Sequence, residues 1–194
     1  MVRQFATWVS TFDPRTEVPP TRLLNVRHRR RKPYIFTDQE IERLVAEAAQ
    51  LPSSRGLRAL THVTLIGLLA ACGLRPGEAL ALDLCDVDLE NGILAIRQTK
   101  FGKSRFVPID DSAGAALAHY RERRDRCAGP SGAFLVSEHG TRLTGDSARR
   151  TFVKISRAVG LRRTDGRHAG RDSRIFVIPL QHGSSSRGIG PDWT

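Results

Sequence analysis

Arg75 lies just past the apolar stretch ALTHVTLIGLLAAC, within the run GLRPGEALALDLCDVDL that spans Gly73 to Leu89. Its position at the end of an apolar helix reads as half buried. A guanidinium stays charged at any working pH, and burying it unpaired is costly. It therefore needs an anion, and two kinds are available. Glu78, three residues on, could form a helical ion pair with it. An external phosphate could also meet it, because the planar fork matches two phosphate oxygens. Downstream, the sequence KFGKS places Lys100 and Lys103 in a Gly-containing turn. An arginine at a helix junction and a lysine on a hairpin turn can point at one phosphate, the lysine supplying a proton to a departing oxygen. Asp86 and Asp88 read as turn and cap residues rather than as a carboxylate pair for metal.

These side chains need elements to hold them. FTDQEIERLVAEAAQLP has the marks of a helix: Thr37 as N-cap, Glu40 completing a capping box, and Pro52 as a stop. A second helix is expected from about Arg58 to Cys72, apolar on most sides and so central, and Gly73 ends it. Pro76 opens a short helix, PGEALAL. The period then changes. GILAIRQT and RFVPID alternate on either side of KFGKS, which predicts a β-hairpin. Asp110 caps a further helix, DSAGAALAHYRERRDRC. GAFLVSE reads as a short strand or extended segment, and TGDSARRTFVKISRAVG as a last amphipathic helix. Before all of these, Val2 to Phe12 has helical apolar spacing, and DPRTEVPP breaks it. No internal repeats are found.

The 194 residues carry 31 Lys+Arg against 20 Asp+Glu, a formal charge of +11. Such an excess suits a polyanionic partner, most simply nucleic acid, although arginine-rich composition alone would also produce it. The cluster Arg27, Arg29, Arg30, Arg31 and Lys32 reads either as a solvated linker or as a tract along a phosphate backbone. No stretch reaches the roughly 18 uninterrupted apolar residues of a membrane span, and the N-terminus lacks a signal-peptide core. Cys72, Cys85 and Cys127 form no C-x-x-C, and they read as packing cysteines in a reducing cytosol.

Taken in order, GLRPGEALALDLCDVDLENGILAIRQTKFGKSRFVPI resembles the catalytic domain of tyrosine recombinases, the phage-integrase family. The shared features are G-L-R-x-x-E followed by an apolar residue, an acidic turn, a hairpin with K-x-G-K and a closing V-P. The likeness covers Phe36 to about Asp110 well and runs more faintly to Gly160. It implies roles. Arg75 would be the first catalytic arginine, binding the scissile phosphate and stabilising its pentavalent transition state. Lys100 would be the general acid for the 5′-oxygen leaving group, with Lys103 a rival more suited to backbone or solvent contact. Glu78 would hold the junction of the Arg75 helix. The family's nucleophile is a tyrosine near the C-terminus, so no metal or nucleotide cofactor is implied. Double-stranded DNA would be the partner, with Lys103 and Arg105 joining the 27–32 cluster as backbone contacts. Relatives work as tetramers held by exchange of a C-terminal helix. That helix is not recognisable here, so a tetramer of this chain is not expected.

The sequence departs from the pattern after Gly160. The family carries H-x-x-R-H, a later His or Trp, and the tyrosine; this sequence has only Tyr34 and Tyr120. HAGR at His168 to Arg171 is a tempting fit, but DSRIF follows where the family has His-Ser/Thr and an apolar helix, so it reads as a decoy. If the last base of each codon is taken with the first two of the next, Arg174 to Gln181 permit D-L/F-R-H-S/T-F-A. Arg187 to Thr194 likewise permit W-Y-R-A-G-L-D. The first histidine of the box is not recovered at Ser173/Arg174. A frameshift near His168 to Arg171 is the expectation.

The expected architecture is mainly α with a small antiparallel β-sheet (α+β), an incomplete integrase-like catalytic domain. Residues 1–20 would be the remnant of an N-terminal core-binding helical domain, 21–35 a basic linker, 36–165 a partial catalytic domain and 166–194 an irregular tail. Three functions stay open: a recombinase that lacks its nucleophile, a non-catalytic DNA-binding protein competing for recombination sites, and a basic RNA-binding protein in which the Arg75/Lys100 register is accidental.

Overall fold

The computed structural model describes residues 2–20, 35–97 and 104–161. The chain divides into two units, parted at Lys32/Pro33.

In the first unit, α1 (Val2–Val9) carries its aromatic residues outward. Phe5, Trp8 and Phe12 pack in sequence, tilted and then edge-on, with ring centroids 6.2 and 5.1 Å apart, and all three are exposed. No residue of α1 is buried.

The second unit begins with α2 (Asp38–Ala49). The predicted capping box is present: Thr37 Oγ1 accepts from Glu40 N at 3.3 Å, and Glu40 Oε2 accepts from Thr37 N at 2.8 Å. α3 (Leu57–Cys72) is the central helix, burying Leu57, Leu65, Ile66, Leu68 and Leu69 between α2 and α5. Gly73 ends it in the left-handed region at φ 58°, a conformation a side chain disfavours. α4 (Pro76–Ala81) follows after a two-residue elbow. A short 3-10 turn, Leu84–Asp86, leads into the sheet.

The sheet is antiparallel in the order β1 (Val87–Asp88), β2 (Ile93–Ile96) and β3 (Arg105–Pro108). β1 was not expected from the sequence, because two residues are too short to show alternation. β2 and β3 form the predicted hairpin, with Ile96 opposite Arg105 and Leu94 opposite Val107. Leu94 and Ile96 are buried and face the helices, whereas Phe106 points away and is 75% exposed. α5 (Asp111–Cys127) starts under Asp110, whose side chain accepts from Ala113 N at 2.8 Å. The segment Ala133–Val136 is fully buried and extended, joined by isolated bridges to Asp83 and Arg142 rather than in the sheet. α6 (Gly145–Ala158) closes the unit against α2 and α4, with Thr144 as its N-cap. Phe36 meets Phe152 of α6 edge-on at 6.1 Å.

The described residues are thus mostly helical with one small antiparallel sheet, as expected. No helix among them is long and apolar enough to cross a membrane. One expectation about the cysteines fails: Cys72 is buried, but Cys85 is exposed on the turn before β1 and packs into no core.

Candidate nucleic-acid interface: the Arg75 elbow

The elbow is fixed by neighbours on both sides. Gly73 turns the chain out of α3, and Leu74 plugs into the core at 3% exposure. Pro76 biases the residue before it towards extended backbone, and Arg75 sits there at φ −71°, ψ 145°. Its backbone N–H donates to Glu78 Oε2 at 3.0 Å. Buried Leu74 and this bond anchor the main chain, so the side chain need not.

The side chain is not half buried, as the sequence suggested. It is 69% exposed, because the elbow projects beyond the end of the apolar helix. One of the anions weighed above is nevertheless present: Arg75 Nη1 reaches Glu78 Oε1 at 3.2 Å.

Glu78 itself is the protected member of the cluster, with its side chain 8% exposed. Arg105, the first residue of β3, grips it with both terminal nitrogens, Nη1 to Oε1 at 3.1 Å and Nη2 to Oε2 at 2.8 Å. Burial alone would push the Glu78 carboxyl up. The Arg105 hydrogen bonds, the Arg75 amide and the two positive charges outweigh it and hold the group below the usual carboxylate range. The same contacts push the Arg105 guanidinium up, chiefly through its hydrogen bonds to Glu78. The loop end of the β2–β3 hairpin is thereby tied to the Arg75 elbow through one carboxylate.

A second pair lies beside the first. Arg97, which follows β2, meets Asp86 at 2.5 Å, and Asp86 Oδ2 accepts from Asp83 N at 3.0 Å. Asp86 is 6% exposed. Glu78, Leu82, Asp86, Ile96 and Arg97 line one shallow cleft between α4 and β2. Asp88 instead accepts from Asn91 in the turn, and this holds its carboxyl low. Among the described residues no group of three His, Cys, Asp or Glu is placed to hold a metal.

Of the residues expected to act, Arg75, Glu78 and Arg105 are brought together. Lys100 and Lys103 lie outside the described residues, as do Arg27, Arg29, Arg30, Arg31, Lys32, Tyr34, His168 and Arg171. Tyr120 is fully buried: its hydroxyl pairs with Thr61 Oγ1 at 3.2 Å and accepts from Val136 N at 3.1 Å. Burial raises its pKa, and no substrate can reach it.

Sequence reasoning missed the Arg105 grip and the Arg97–Asp86 pair. The first carried a signal: Arg105 is two residues before Val107, so strand alternation puts both on the inner face, beside Ile96 and Leu94.

A mostly helical unit with a small three-stranded antiparallel sheet is the fold of an integrase-type catalytic core. The chain belongs to the phage integrase family, whose model matches residues 35–174. It is 42% identical over 176 residues to y4rB of Sinorhizobium fredii, named as an integrase/recombinase, covering 88% of this chain and 56% of that relative. It is 37% identical over 123 residues to the tyrosine recombinase XerD of Caulobacter vibrioides, covering 63% of this chain and 39% of XerD. The fold is similar to the Tn1549 transposon integrase solved with transposon right end DNA, with a TM-score of 0.60 at 16% identity over 86% of this chain and 58% of that one. The chain spans about half the length of the curated relatives it matches first, 56% and 53%.

Proposed function

We propose that this chain binds duplex DNA in the manner of a site-specific recombinase, with Arg75 on a backbone phosphate, but does not cleave it. The observation that carries this is the Arg75 elbow: a guanidinium 69% exposed on a backbone fixed by Gly73, Leu74, Pro76 and Glu78. A phosphate ligand needs a cation presented on a rigid mount, and this is one. Lys100 matches the position of the general acid in the family's motif, and in this reading it, Lys103 and the basic residues of 27–32 add charge for the phosphate backbone. The charge of +11 adds long-range attraction.

Cleavage by this family's chemistry needs a positioned tyrosine. Tyr120, the one tyrosine among the described residues, is locked in the core. Without a positioned nucleophile the covalent step is abolished rather than weakened. A frameshift would account for the missing box: from Arg174 to Gln181 the alternative reading permits D-L/F-R-H-S/T-F-A, which is what supports this reading. The nucleotide sequence across codons 168–181 tests that directly. A chain that binds recombination sites without cutting them would compete with intact recombinases for those sites.

The test is incubation with a nicked suicide duplex that traps phosphotyrosyl intermediates. The expected result is DNA binding that weakens steeply with salt and no covalent adduct. A trapped adduct would refute the non-cleaving reading, and salt-insensitive or absent DNA binding would refute the reading as a whole.

A further inference from the structure

Glu78 has four acceptor positions on its carboxylate, and all four are filled. Oε1 takes Arg75 Nη1 and Arg105 Nη1; Oε2 takes the Arg75 backbone N–H and Arg105 Nη2. Arg75 therefore has a single side-chain bond to Glu78, at 3.2 Å, the longest of the four. A carboxylate three residues away on a helix start would otherwise compete for the guanidinium, with the two-pronged match that phosphate also offers.

We infer that Arg105 is a positioning residue that acts through Glu78: by occupying both carboxylate oxygens it keeps Arg75 from closing a two-pronged pair with Glu78 and leaves the remaining N–H groups of its guanidinium for a DNA phosphate. The proposal rests on the reading of Arg75 as a phosphate ligand. It differs from a direct contact of Arg105 with DNA. The Arg105 fork is turned to Glu78, on the inner face of the sheet beside Ile96. The device needs arginine. A lysine in its place would keep the charge but could not offer the two parallel N–H donors that match both oxygens at once.

The experiment is a double-mutant cycle on the full chain, read as affinity for a fluorescein-labelled duplex of mixed sequence at low salt. Arg75→Ala and Arg105→Ala are each expected to weaken binding about tenfold, the scale of one strong charged contact. The double variant should bind no more weakly than Arg75→Ala, since Arg105 acts only by freeing Arg75. Arg105→Lys should bind as poorly as Arg105→Ala, and thermal melts check that the variants stay folded. Should Arg105→Ala fail to fold, the Lys variant carries the cycle alone. Losses that multiply in the double variant, full affinity in Arg105→Lys, or no loss on changing Arg105 would each overturn the proposal while leaving the Arg75 reading in place. No loss on changing Arg75 would instead overturn that reading, and this one with it.

Discussion

Glu138 Oε2 accepts the backbone N–H of Arg58 at 2.8 Å, so a carboxylate eighty residues away caps the start of α3. The helix's own N-cap is Gly56, in the left-handed region at φ 71° with no side chain to offer. Glu138 also accepts from Arg55 N at 2.9 Å, from Ser53 Oγ at 2.5 Å and from Ser54 Oγ at 3.0 Å. It thus supplies in space what the local sequence lacks, and its negative charge suits a helix N-terminus. α3 ends at the Arg75 elbow, so this cap stands at the far end of the helix that carries the site.

Acid stability should report that cap. Burial would raise the Glu138 carboxyl, but the hydroxyl and backbone donors bring it down to about 2. A folded value below the unfolded one means that the contribution is present above about pH 4.5 and is lost as the pH falls towards 2. Glu138→Gln should cost about 1 kcal/mol near neutrality, the scale of a lost N-cap discounted for partial exposure. It should also flatten the acid limb of a stability-against-pH curve, measured by urea melts. An unchanged acid limb would contradict the assignment.

Arg124 should prove the most sensitive charged residue of α5. It is 2% exposed; its Nε donates to Ala133 O at 3.0 Å, its Nη2 to Ala133 O at 2.7 Å, and Ser131 O accepts from the same nitrogen. It clamps the start of the buried Ala133–Val136 segment onto α5. Arg124→Met removes the donor and leaves those carbonyls unpaired, which should cost about 2–3 kcal/mol in chemical denaturation. Its surface neighbour Arg123, changed the same way, should cost under about 0.5 kcal/mol. Equal effects at the two positions would argue against the clamp.

Tyr120→Phe separates a structural tyrosine from a reactive one. The variant strands the buried Val136 N–H and should lose about 2 kcal/mol of stability, while duplex affinity stays unchanged. A loss of DNA affinity in a folded variant would show that Tyr120 does more than fasten α5 to the buried segment.

How much of this could be read in advance follows from the range of each interaction. The α2 capping box, the Gly73 stop, the Pro76 start and the Asp110 cap are set by residues within four positions, and all are found. The hairpin was legible because β2 alternates in burial. The Glu138 cap was not, since nothing near Gly56 announces a carboxylate from beyond α5. Arg124 was hidden among the charges of YRERRDR, although Leu117, Tyr120 and Arg124 share one helical face and all are buried. The exposure of Arg75 was misjudged because helix-end burial was inferred from the apolar run before it. The elbow carries the side chain clear of that run.

Arg75 itself offers the most direct test of the account. Duplex affinity of Arg75→Ala should be measured by fluorescence anisotropy over a series of salt concentrations, beside the unaltered chain. Loss of one phosphate contact predicts weaker binding and a plot of log affinity against log salt that is shallower by about one. Unchanged affinity with an unchanged slope would contradict the claim that this elbow meets DNA.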